Sequence, residues 1–388
     1  MEKIIKSVKN GTPIYIKPYK EPKVWGIGGI GEYWYGAEKG EKSSLGVIGK
    51  NSVPLDMLLK AIPHELLGEK VFKKYGIFLP LVKILTPAGR LSVQFHDAKN
   101  ELWVVTGIHK EITGNKPDLI VGFSPKALKK HKGNIRKEYL KALEVYGDSL
   151  NALISSMEEK GMRVTLSLSG NAIKAAENVK DEDPGIKKLL GALKSAGEKL
   201  DGFYHHVRVR IGDVIPVPKG TLHALGPGIE VVEPQIPGPT QSLEDGATYP
   251  VRYNFPAHPA ATAKKPLDLD RVGEINISEW KKGEIETIFD KDQVSVGRMP
   301  GKFEEKGMQV NRISMNKGSR LVFDGLKTYH IYVVVSGNAA LQGLDEEKYN
   351  IPKAVPGGEM LLVPACIGGF EVLSGANTEL LDIFTPVP

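Results

Sequence analysis

A single cysteine, Cys366, is present among the 388 residues of the sequence. One thiol cannot form an intrachain disulfide, and it excludes the cysteine-rich class of zinc site. No apolar run approaches the roughly 20 residues that a membrane-spanning helix requires. The first residues also lack the continuous apolar segment of a secretory signal peptide. From these absences we expect a cytoplasmic protein that has no membrane partner.

The sequence also lacks an arm or tail in which charge of one sign is concentrated. The net charge is +6, and the densest basic cluster, residues 126–141, follows a helical pattern. A solvated helix face explains such a cluster better than a nucleic-acid interface, so we expect no nucleic-acid partner. A mild basic excess suits an anionic small molecule such as a sugar phosphate. No feature of the sequence indicates an oligomeric state.

The patterns along the chain predict several units. With 41% hydrophobic and 25% charged residues the composition is that of a globular protein, and the length predicts two or three domains. Residues 1–123 carry mainly strand patterns, apart from helical periodicity at 54–75. Ser124 and Pro125 are typical of a helix start, and three helical segments follow. Strand patterns then return and continue, in short segments, through residues 287–388. The chain is therefore predicted to be mainly β with an α-helical insertion.

A glycine-rich segment, Gly26-Ile-Gly-Gly-Ile-Gly-Glu32, superficially resembles a nucleotide-binding loop. Three aromatic residues, Tyr33-Trp-Tyr35, follow it at the point where a dinucleotide-binding fold requires a helix. We therefore predict a β-turn that leads into an aromatic strand.

Two separate segments carry the residues of a candidate metal site. Gln94 and His96 alternate across one apolar residue, so on a strand both side chains leave the same face. Glu101 follows a polar break at residues 97–100, where a tight turn would fold it back beside them. His223 ends a stretch punctuated by glycine and proline, of the kind that links barrel strands. Two imidazoles, a carboxylate and an amide oxygen are a suitable ligand set for Zn²⁺, and also for Mn²⁺, Co²⁺ or Fe²⁺.

Five motifs occur in a consistent order along the chain. They are Gly31-Glu-Tyr-Trp34; Phe78-Leu-Pro-Leu-Val-Lys-Ile-Leu85 with Leu91-Ser-Val-Gln-Phe-His96; Gly212-Asp213 with Pro218-Lys-Gly-Thr-Leu-His-Ala224; Val232-Glu-Pro-Gln235; and Val335-Ser-Gly-Asn338 with Leu361-Leu-Val-Pro-Ala365. In this order they resemble motifs of the type I mannose-6-phosphate isomerase family. The resemblance implies a fold of two cupin-like, jelly-roll β-barrels and a helical domain.

The implied domains are discontinuous in sequence. Residues 1–123 and 201–286 would form an N-terminal catalytic barrel, residues 124–200 the helical domain, and residues 287–388 a degenerate C-terminal barrel. The resemblance also implies that one Zn²⁺ per chain is bound by the four residues of the candidate metal site, which are Gln94, His96, Glu101 and His223.

The resemblance assigns further roles within the same cavity. Ser92 would contact the substrate near its phosphate, Lys83 and Glu233 would be polar groups of the active site, and Arg252 would be the catalytic arginine. Glu233 lies on an apolar run, and burial in a cavity would make it a stronger base. Lys219 is a further candidate for substrate binding, as a replacement for a lysine that often follows the arginine in the family.

The implied reaction interconverts mannose 6-phosphate and fructose 6-phosphate by proton transfer between C1 and C2. Two alternatives remain open from the sequence. The same scaffold could isomerise another sugar phosphate, such as glucose 6-phosphate, or it could be a cupin that binds a sugar phosphate without turning it over.

Overall fold

The structure is a computed structural model. It describes residues 1–388 apart from 24, 39, 78, 90, 98–99, 162–174, 237–247, 253–268, 302–306 and 344–346, and for residues 248–252 it describes the backbone alone. Within these ranges β-strands predominate and several α-helices accompany them, so the predicted mainly β class is confirmed.

The α-helices lie in the first half of the chain and in the predicted insertion. They are α1 (Glu2–Lys9), α2 (Leu55–Ala61), α3 (Pro63–Leu67), α4 (Glu69–Tyr75), α5 (Lys110–Thr113), α6 (Pro125–Lys130), α7 (Ile135–Glu159) and α8 (Pro184–Asp201). Among the residues described, no helix is both long enough and apolar enough to cross a membrane.

The strands are short and follow one another closely. They are β1 (Ile14–Lys17), β2 (Tyr19–Pro22), β3 (Ile30–Tyr35), β4 (Leu45–Ile48), β5 (Asn51–Pro54), β6 (Leu81–Leu85), β7 (Val93–His96), β8 (Glu101–Ile108), β9 (Asp118–Phe123), β10 (Tyr204–Arg208), β11 (Val214–Val217), β12 (His223–Ala224), β13 (Ile229–Gln235), β14 (Thr248–Arg252), β15 (Glu286–Lys291), β16 (Val294–Arg298), β17 (Gln309–Met315), β18 (Arg320–Phe323), β19 (His330–Ser336), β20 (Ala339–Gly343), β21 (Lys348–Ile351), β22 (Met360–Val363), β23 (Phe370–Ser374) and β24 (Thr378–Phe384). The predicted turn before an aromatic strand is confirmed, since a single 3₁₀ turn leads from the glycine-rich segment into β3.

The helical insertion begins at the predicted cap. The hydroxyl of Ser124 accepts a hydrogen bond from the backbone N–H of Ala127 at 3.1 Å, and Pro125 occupies the first helical position of α6. Helix α7 then buries a residue at about every third or fourth position, which is the spacing of one helix face. Its buried residues are Ile135, Tyr139, Ala142, Leu143, Tyr146, Leu150, Leu153 and Met157. This face packs against α8.

The named strands pair antiparallel in four sheets. A six-stranded sheet has the order β11-β8-β13-β6-β3-β2, and a five-stranded sheet has the order β10-β9-β12-β7-β14. We refer to these two as the N-terminal sheet pair. A nine-stranded sheet has the order β15-β16-β17-β24-β19-β22-β1-β4-β5, and a four-stranded sheet has the order β18-β23-β20-β21. We refer to these two as the C-terminal sheet pair.

The interior of the N-terminal sheet pair combines residues of both sheets. One buried cluster joins Trp103, Val105 and Val231 of the six-stranded sheet to Val121 of the five-stranded sheet. Outside the five-stranded sheet, Val93 and Phe95 of β7 belong to a second cluster with the buried faces of α7 and α8. The helical layer therefore covers the outer face of the five-stranded sheet.

The six-stranded sheet has its outer face against the nine-stranded sheet. Val82, Leu102 and Val232 share a buried cluster with Ile331 and Leu381. A fourth cluster lies between the nine- and four-stranded sheets and includes many aromatic and branched side chains. Strand β1 joins the nine-stranded sheet by pairing with β22, so the N-terminal segment completes a sheet built mainly from C-terminal strands.

Candidate functional site

Three strands of the six-stranded sheet divide their residues between the core and a cavity. On β6, Val82 and Ile84 face the apolar cluster outside the sheet, whereas Lys83 between them lines the cavity. Glu101 and Trp103 of β8 and Glu233 of β13 also line the cavity. Because successive residues of a strand point to opposite faces, one face of this sheet is apolar and the other carries charge.

The facing strand β7 shows the same division. Val93 and Phe95 are fully buried against the helical layer, and the residues that alternate with them, Gln94 and His96, line the cavity. Strand β12 pairs with β7 so that His223 lies directly opposite Gln94 in the register. The predicted common face of Gln94 and His96 is therefore what the structure shows, and the register adds His223 to it.

His96, Glu101 and His223 form a compact buried group whose ligand-type atoms all lie within 4.8 Å of one another. The Nε2 atom of His96 is 3.0 Å from Oε1 of Glu101, and the Nε2 atom of His223 is 3.8 Å from Oε2. Both imidazoles thus present the same ring nitrogen to one carboxylate. Three ligands of a single divalent ion would likewise direct one donor atom each toward a common point.

Two neighbours fix the orientation of His223. Its Nδ1 atom lies 2.8 Å from the backbone carbonyl oxygen of Thr221, which accepts the Nδ1 proton in the tautomer that leaves Nε2 as a lone-pair donor. The ring of Trp103 packs edge-on against the imidazole at a centroid distance of 5.5 Å. The side-chain amide of Gln94 lies 3.4 Å from Nε2 of His223, so either a nitrogen or an oxygen of this amide borders the group.

A short connection returns Glu101 to His96. Asp97, at its start, accepts a hydrogen bond from Arg271 at 3.2 Å. Asn100, at its end, accepts one from the backbone N–H of Lys219 at 2.9 Å. Residues 98–99 between them lie outside the described part of the chain. The predicted tight turn therefore falls partly outside the described residues, and Glu101 opens β8 beside the two histidines.

The donor set fits a metal ion. It consists of buried nitrogen and oxygen atoms without sulfur, in which the histidines are 5% and 1% exposed and the glutamate is 4% exposed. A buried carboxylate is costly unless it is paired or coordinates a cation. These three residues are predicted ligands, and the amide of Gln94 adjoins them.

The cavity that contains this group has a volume of about 240 Å³. It lies between the two sheets of the N-terminal sheet pair. The residues that line it are Lys23, Trp25, Glu32, Lys83, Leu85, Leu91, Ser92, Gln94, His96, Glu101, Trp103, His223, Ala224, Leu225 and Glu233. The predicted residues Lys83, Ser92 and Glu233 thus line the same cavity as His96, Glu101 and His223, which we call the candidate metal group, or metal group for short.

The two remaining predicted residues are Lys219 and Arg252. Lys219 lies on an exposed loop and is not among the residues that line the cavity. The backbone of Arg252 pairs with Val93 at the edge strand β14, next to the strand that carries Gln94 and His96. The side chain of Arg252 lies outside the described residues, so its role stays a prediction.

Sequence reasoning assigned no role to several residues of the cavity wall. The sequence could have indicated Trp103, because it lies two positions after Glu101 on one strand and therefore on the same face. Glu32 belongs to one of the motifs, but no role followed from it. Lys23 and Trp25 precede a glycine-rich turn, and only the folded structure places them over β3. Both side chains lie close to Gly31, at which a Cβ atom would lie 2.6 Å from side-chain atoms of each residue.

Comparison with solved structures shows that the fold is similar to the folds of mannose 6-phosphate isomerases. Mannose 6-phosphate isomerase from Bacillus subtilis matches with a TM-score of 0.61 and 17% identity, over 96% of this chain and 99% of that one. A point variant of phosphomannose isomerase from Salmonella typhimurium matches with a TM-score of 0.61 and 14% identity, over 97% and 100%. A mannose 6-phosphate isomerase bound with zinc and yttrium matches with a TM-score of 0.60 and 14% identity, over 96% and 99%.

At the level of sequence, no protein-family model and no curated protein matches this chain. The similarity to the solved structures extends over nearly the whole chain at low identity. The shared property is therefore the fold, which agrees with the family resemblance found in the motifs.

Proposed function

We propose that this protein is a metal-dependent aldose–ketose isomerase that interconverts mannose 6-phosphate and fructose 6-phosphate. The observation that carries the proposal is the buried His96–Glu101–His223 group, which shares one cavity with Glu233 and Lys83. The similarity in fold to mannose 6-phosphate isomerases supports this reaction over other chemistry of a His–Glu–His site.

The proposal extends to the architecture and the setting of the enzyme. We propose that each sheet pair is a cupin-like, jelly-roll barrel, with the helical layer as the third domain at the predicted boundaries. The C-terminal barrel would be degenerate, and the ligand would be a sugar phosphate in the cytoplasm. One metal ion, Zn²⁺ by preference, would be bound in each chain by His96, Glu101 and His223 together with Gln94.

A divalent ion at this group would act as a Lewis acid on the oxygen atoms of the open-chain sugar. His96, Glu101 and His223 would hold the ion, and the Thr221 carbonyl would keep His223 in the tautomer that ligation needs. Gln94 would complete the set from β7. The wall of apolar residues, of which Leu85 and Leu225 are examples, would limit the access of water to the reacting carbons.

Glu233 is the proposed proton carrier. It is 4% exposed, it lines the cavity, and it lies on β13 directly opposite Lys83 of β6 in the register. A carboxylate in this position would remove the proton from C2 of mannose 6-phosphate and return it to C1, which gives fructose 6-phosphate, and it would do the reverse in the other direction. The proton of the O2 hydroxyl would pass to O1 in the enediolate while Glu233 moves the carbon-bound proton, so the interconversion would consume no net acid or base.

The negative charge that develops on the sugar oxygens needs a cationic neighbour. Lys83 lies beside Glu233 and would supply this charge through its ammonium group. Arg252, on the strand next to β7, is the second proposed cation, and Ser92 is the proposed hydroxyl contact near the phosphate. Lys219 would contribute only if its loop closed over the cavity.

The test is a coupled assay of mannose 6-phosphate conversion by protein that has been treated with a chelator and then reloaded with zinc. We expect activity in the untreated protein, loss after chelation and recovery with zinc. A zinc-loaded protein that converts glucose 6-phosphate but not mannose 6-phosphate would move the proposal to the other sugar. A folded, zinc-loaded protein without isomerase activity on either sugar would contradict it and favour a binding cupin.

A further inference from the structure

The charged residues of the cavity are not evenly distributed. In the six-stranded sheet Glu101 lies on β8, Glu233 on β13, Lys83 on β6 and Glu32 on β3, in that order. Lys23 follows β2, at the far edge of the same sheet. With about 4.8 Å between neighbouring strands, β8 and β3 are roughly 14 Å apart. The metal group therefore occupies one end of the cavity wall and Lys23 the other.

We infer that Lys23 binds the phosphate group of the substrate. We also infer that Glu32 positions the Lys23 side chain and keeps it apart from Lys83. The inference rests on the proposed function, because it assumes a ligand whose reacting carbons and phosphate lie at opposite ends of one chain. With C1 and C2 beside Glu101 and Glu233, the extended sugar would direct its phosphate toward the edge of the sheet at which Lys23 lies.

The contacts of Lys23 leave its ammonium group suited to a ligand. Its Nζ atom is 3.4 Å from Oε1 of Glu21 and 3.8 Å from Oε1 of Glu32, both longer than the 2.7–2.9 Å of a strong hydrogen bond between charged groups. Its side chain is 25% exposed, so it is neither fixed in the core nor fully solvated. An incoming phosphate would offer shorter hydrogen bonds than either carboxylate does.

Glu32 separates the two lysines of the cavity wall. One of its oxygens faces Lys23, and the other lies 3.6 Å from Nζ of Lys83 and accepts a hydrogen bond from the indole N–H of Trp34 at 2.9 Å. Since the carboxylate is fixed by Trp34, it keeps one cation on each side of it. Lys83 is thereby held next to Glu233, and Lys23 is held at the phosphate end.

Gly31 allows Lys23 to reach this position. A Cβ atom at residue 31 would lie 2.6 Å from the Cβ atom of Lys23 and 2.6 Å from the ring of Trp25, distances at which one of them must move. The absence of a side chain at Gly31 thus lets the segment that carries both residues lie directly on β3.

The experiment compares Lys23→Met with Lys42→Met. Lys42 is a matched control, because its ammonium group also contacts Glu21, at 3.4 Å, but Lys42 does not line the cavity. We expect Lys23→Met to raise KM for mannose 6-phosphate about 10- to 100-fold, the range for one lost hydrogen bond between charged groups, with kcat changed less than about threefold. Lys23→Arg should restore most of the loss, and Lys42→Met should resemble the wild type.

Binding without turnover separates this inference from the proposed function. Calorimetry would compare glucitol 6-phosphate, which has no carbonyl group to isomerise, with glucitol. The wild type could have no isomerase activity while Lys23→Met abolishes the preference for the phosphorylated polyol. That result would support the phosphate-binding role of Lys23 and contradict the proposed isomerase reaction. If Lys23→Met keeps the wild-type KM and the wild-type preference, or if Lys42→Met loses as much as Lys23→Met, the site is overturned while an active isomerase remains.

Discussion

Each sheet pair buries a histidine against a carboxylate, and the surroundings of these two histidine–carboxylate contacts differ. In the N-terminal sheet pair, Nε2 of His96 lies 3.0 Å from Glu101, and a second histidine, an amide and a cavity adjoin them. In the C-terminal sheet pair, Nδ1 of His330 lies 2.7 Å from Asp382.

Aromatic rings enclose the His330–Asp382 contact of the C-terminal sheet pair. Phe384 and Tyr332 stack on His330 at centroid distances of 4.9 and 5.8 Å, and Phe323 and Phe370 lie within 6.4 Å. Burial raises the pKa of the Tyr332 hydroxyl well above its usual range, as expected in such a core. The comparison teaches that a buried histidine–carboxylate contact does not by itself make a site. A second histidine and a cavity adjoin the His96–Glu101 contact. The His330–Asp382 contact, by comparison, is part of the packed core.

The largest effect is expected from His223→Ala. The variant removes one imidazole of the metal group, so we expect the bound zinc to be lost and isomerase activity to fall about a thousandfold or more, equivalent to several kcal/mol of transition-state stabilisation. Metal content per chain and the coupled assay measure the two effects. His64→Ala, at an exposed histidine paired with Glu69, is the control. A full complement of zinc in His223→Ala would remove the distinction between the two sheet pairs.

Glu233→Gln should lower kcat while the metal stays bound. The amide cannot accept the proton, and the loss of a general base reduces turnover by about 10²- to 10⁴-fold. Steady-state kinetics on zinc-loaded protein checks this, with metal content as the control. Near-normal turnover would show that another group carries the proton.

Asp382→Ala should affect stability without affecting the site. Removal of one partner leaves His330 buried without its carboxylate, which costs about 3 kcal/mol. Denaturant unfolding would measure the loss, and kcat of the folded variant should equal that of the wild type. Glu69→Ala, at the exposed pair, should change stability by less than about 1 kcal/mol. A zinc or activity deficit in folded Asp382→Ala would mean that the C-terminal pair is functional.

The smallest effect is expected at Glu230, which lies on β13 but does not line the cavity. Burial raises the pKa of this carboxyl, and the hydrogen bond from Thr106 and the nearby His109 oppose the shift. Because the folded-state pKa lies above the unfolded value, its contribution to stability is complete below the unfolded pKa and is lost as pH rises through the folded pKa.

Glu230→Gln does not titrate, so its unfolding free energy relative to the wild type should increase as pH rises from 4 to 7. Unfolding curves at several pH values would measure this difference. Glu144→Gln, at an exposed position of α7, is the control and should show no such trend. A difference for Glu230→Gln that is independent of pH would contradict the assignment.

The sequence predicted the elements that follow local rules. The cap at Ser124 and the shared face of Gln94 and His96 depend on neighbouring residues, and the structure has both. The ordered motifs also indicated the fold. Lys23 could not be placed in this way, because its position depends on Gly31 and on a turn between two strands. Asp382 lies 52 positions after His330, and no local pattern indicates that they touch.

Strand β1 gives the chain a particular order of assembly. Ile14 pairs with Leu362, so β1 can take its place in the closed sheet only after the much later strand β22 has been synthesised. Contacts between such distant residues slow folding, and an unpaired strand edge favours aggregation in the meantime. The six-stranded sheet, which forms one wall of the cavity, packs against this late-closing sheet through Leu102 and Leu381. During synthesis, the six-stranded sheet would therefore acquire the sheet that supports it only after β22 and β24 have emerged.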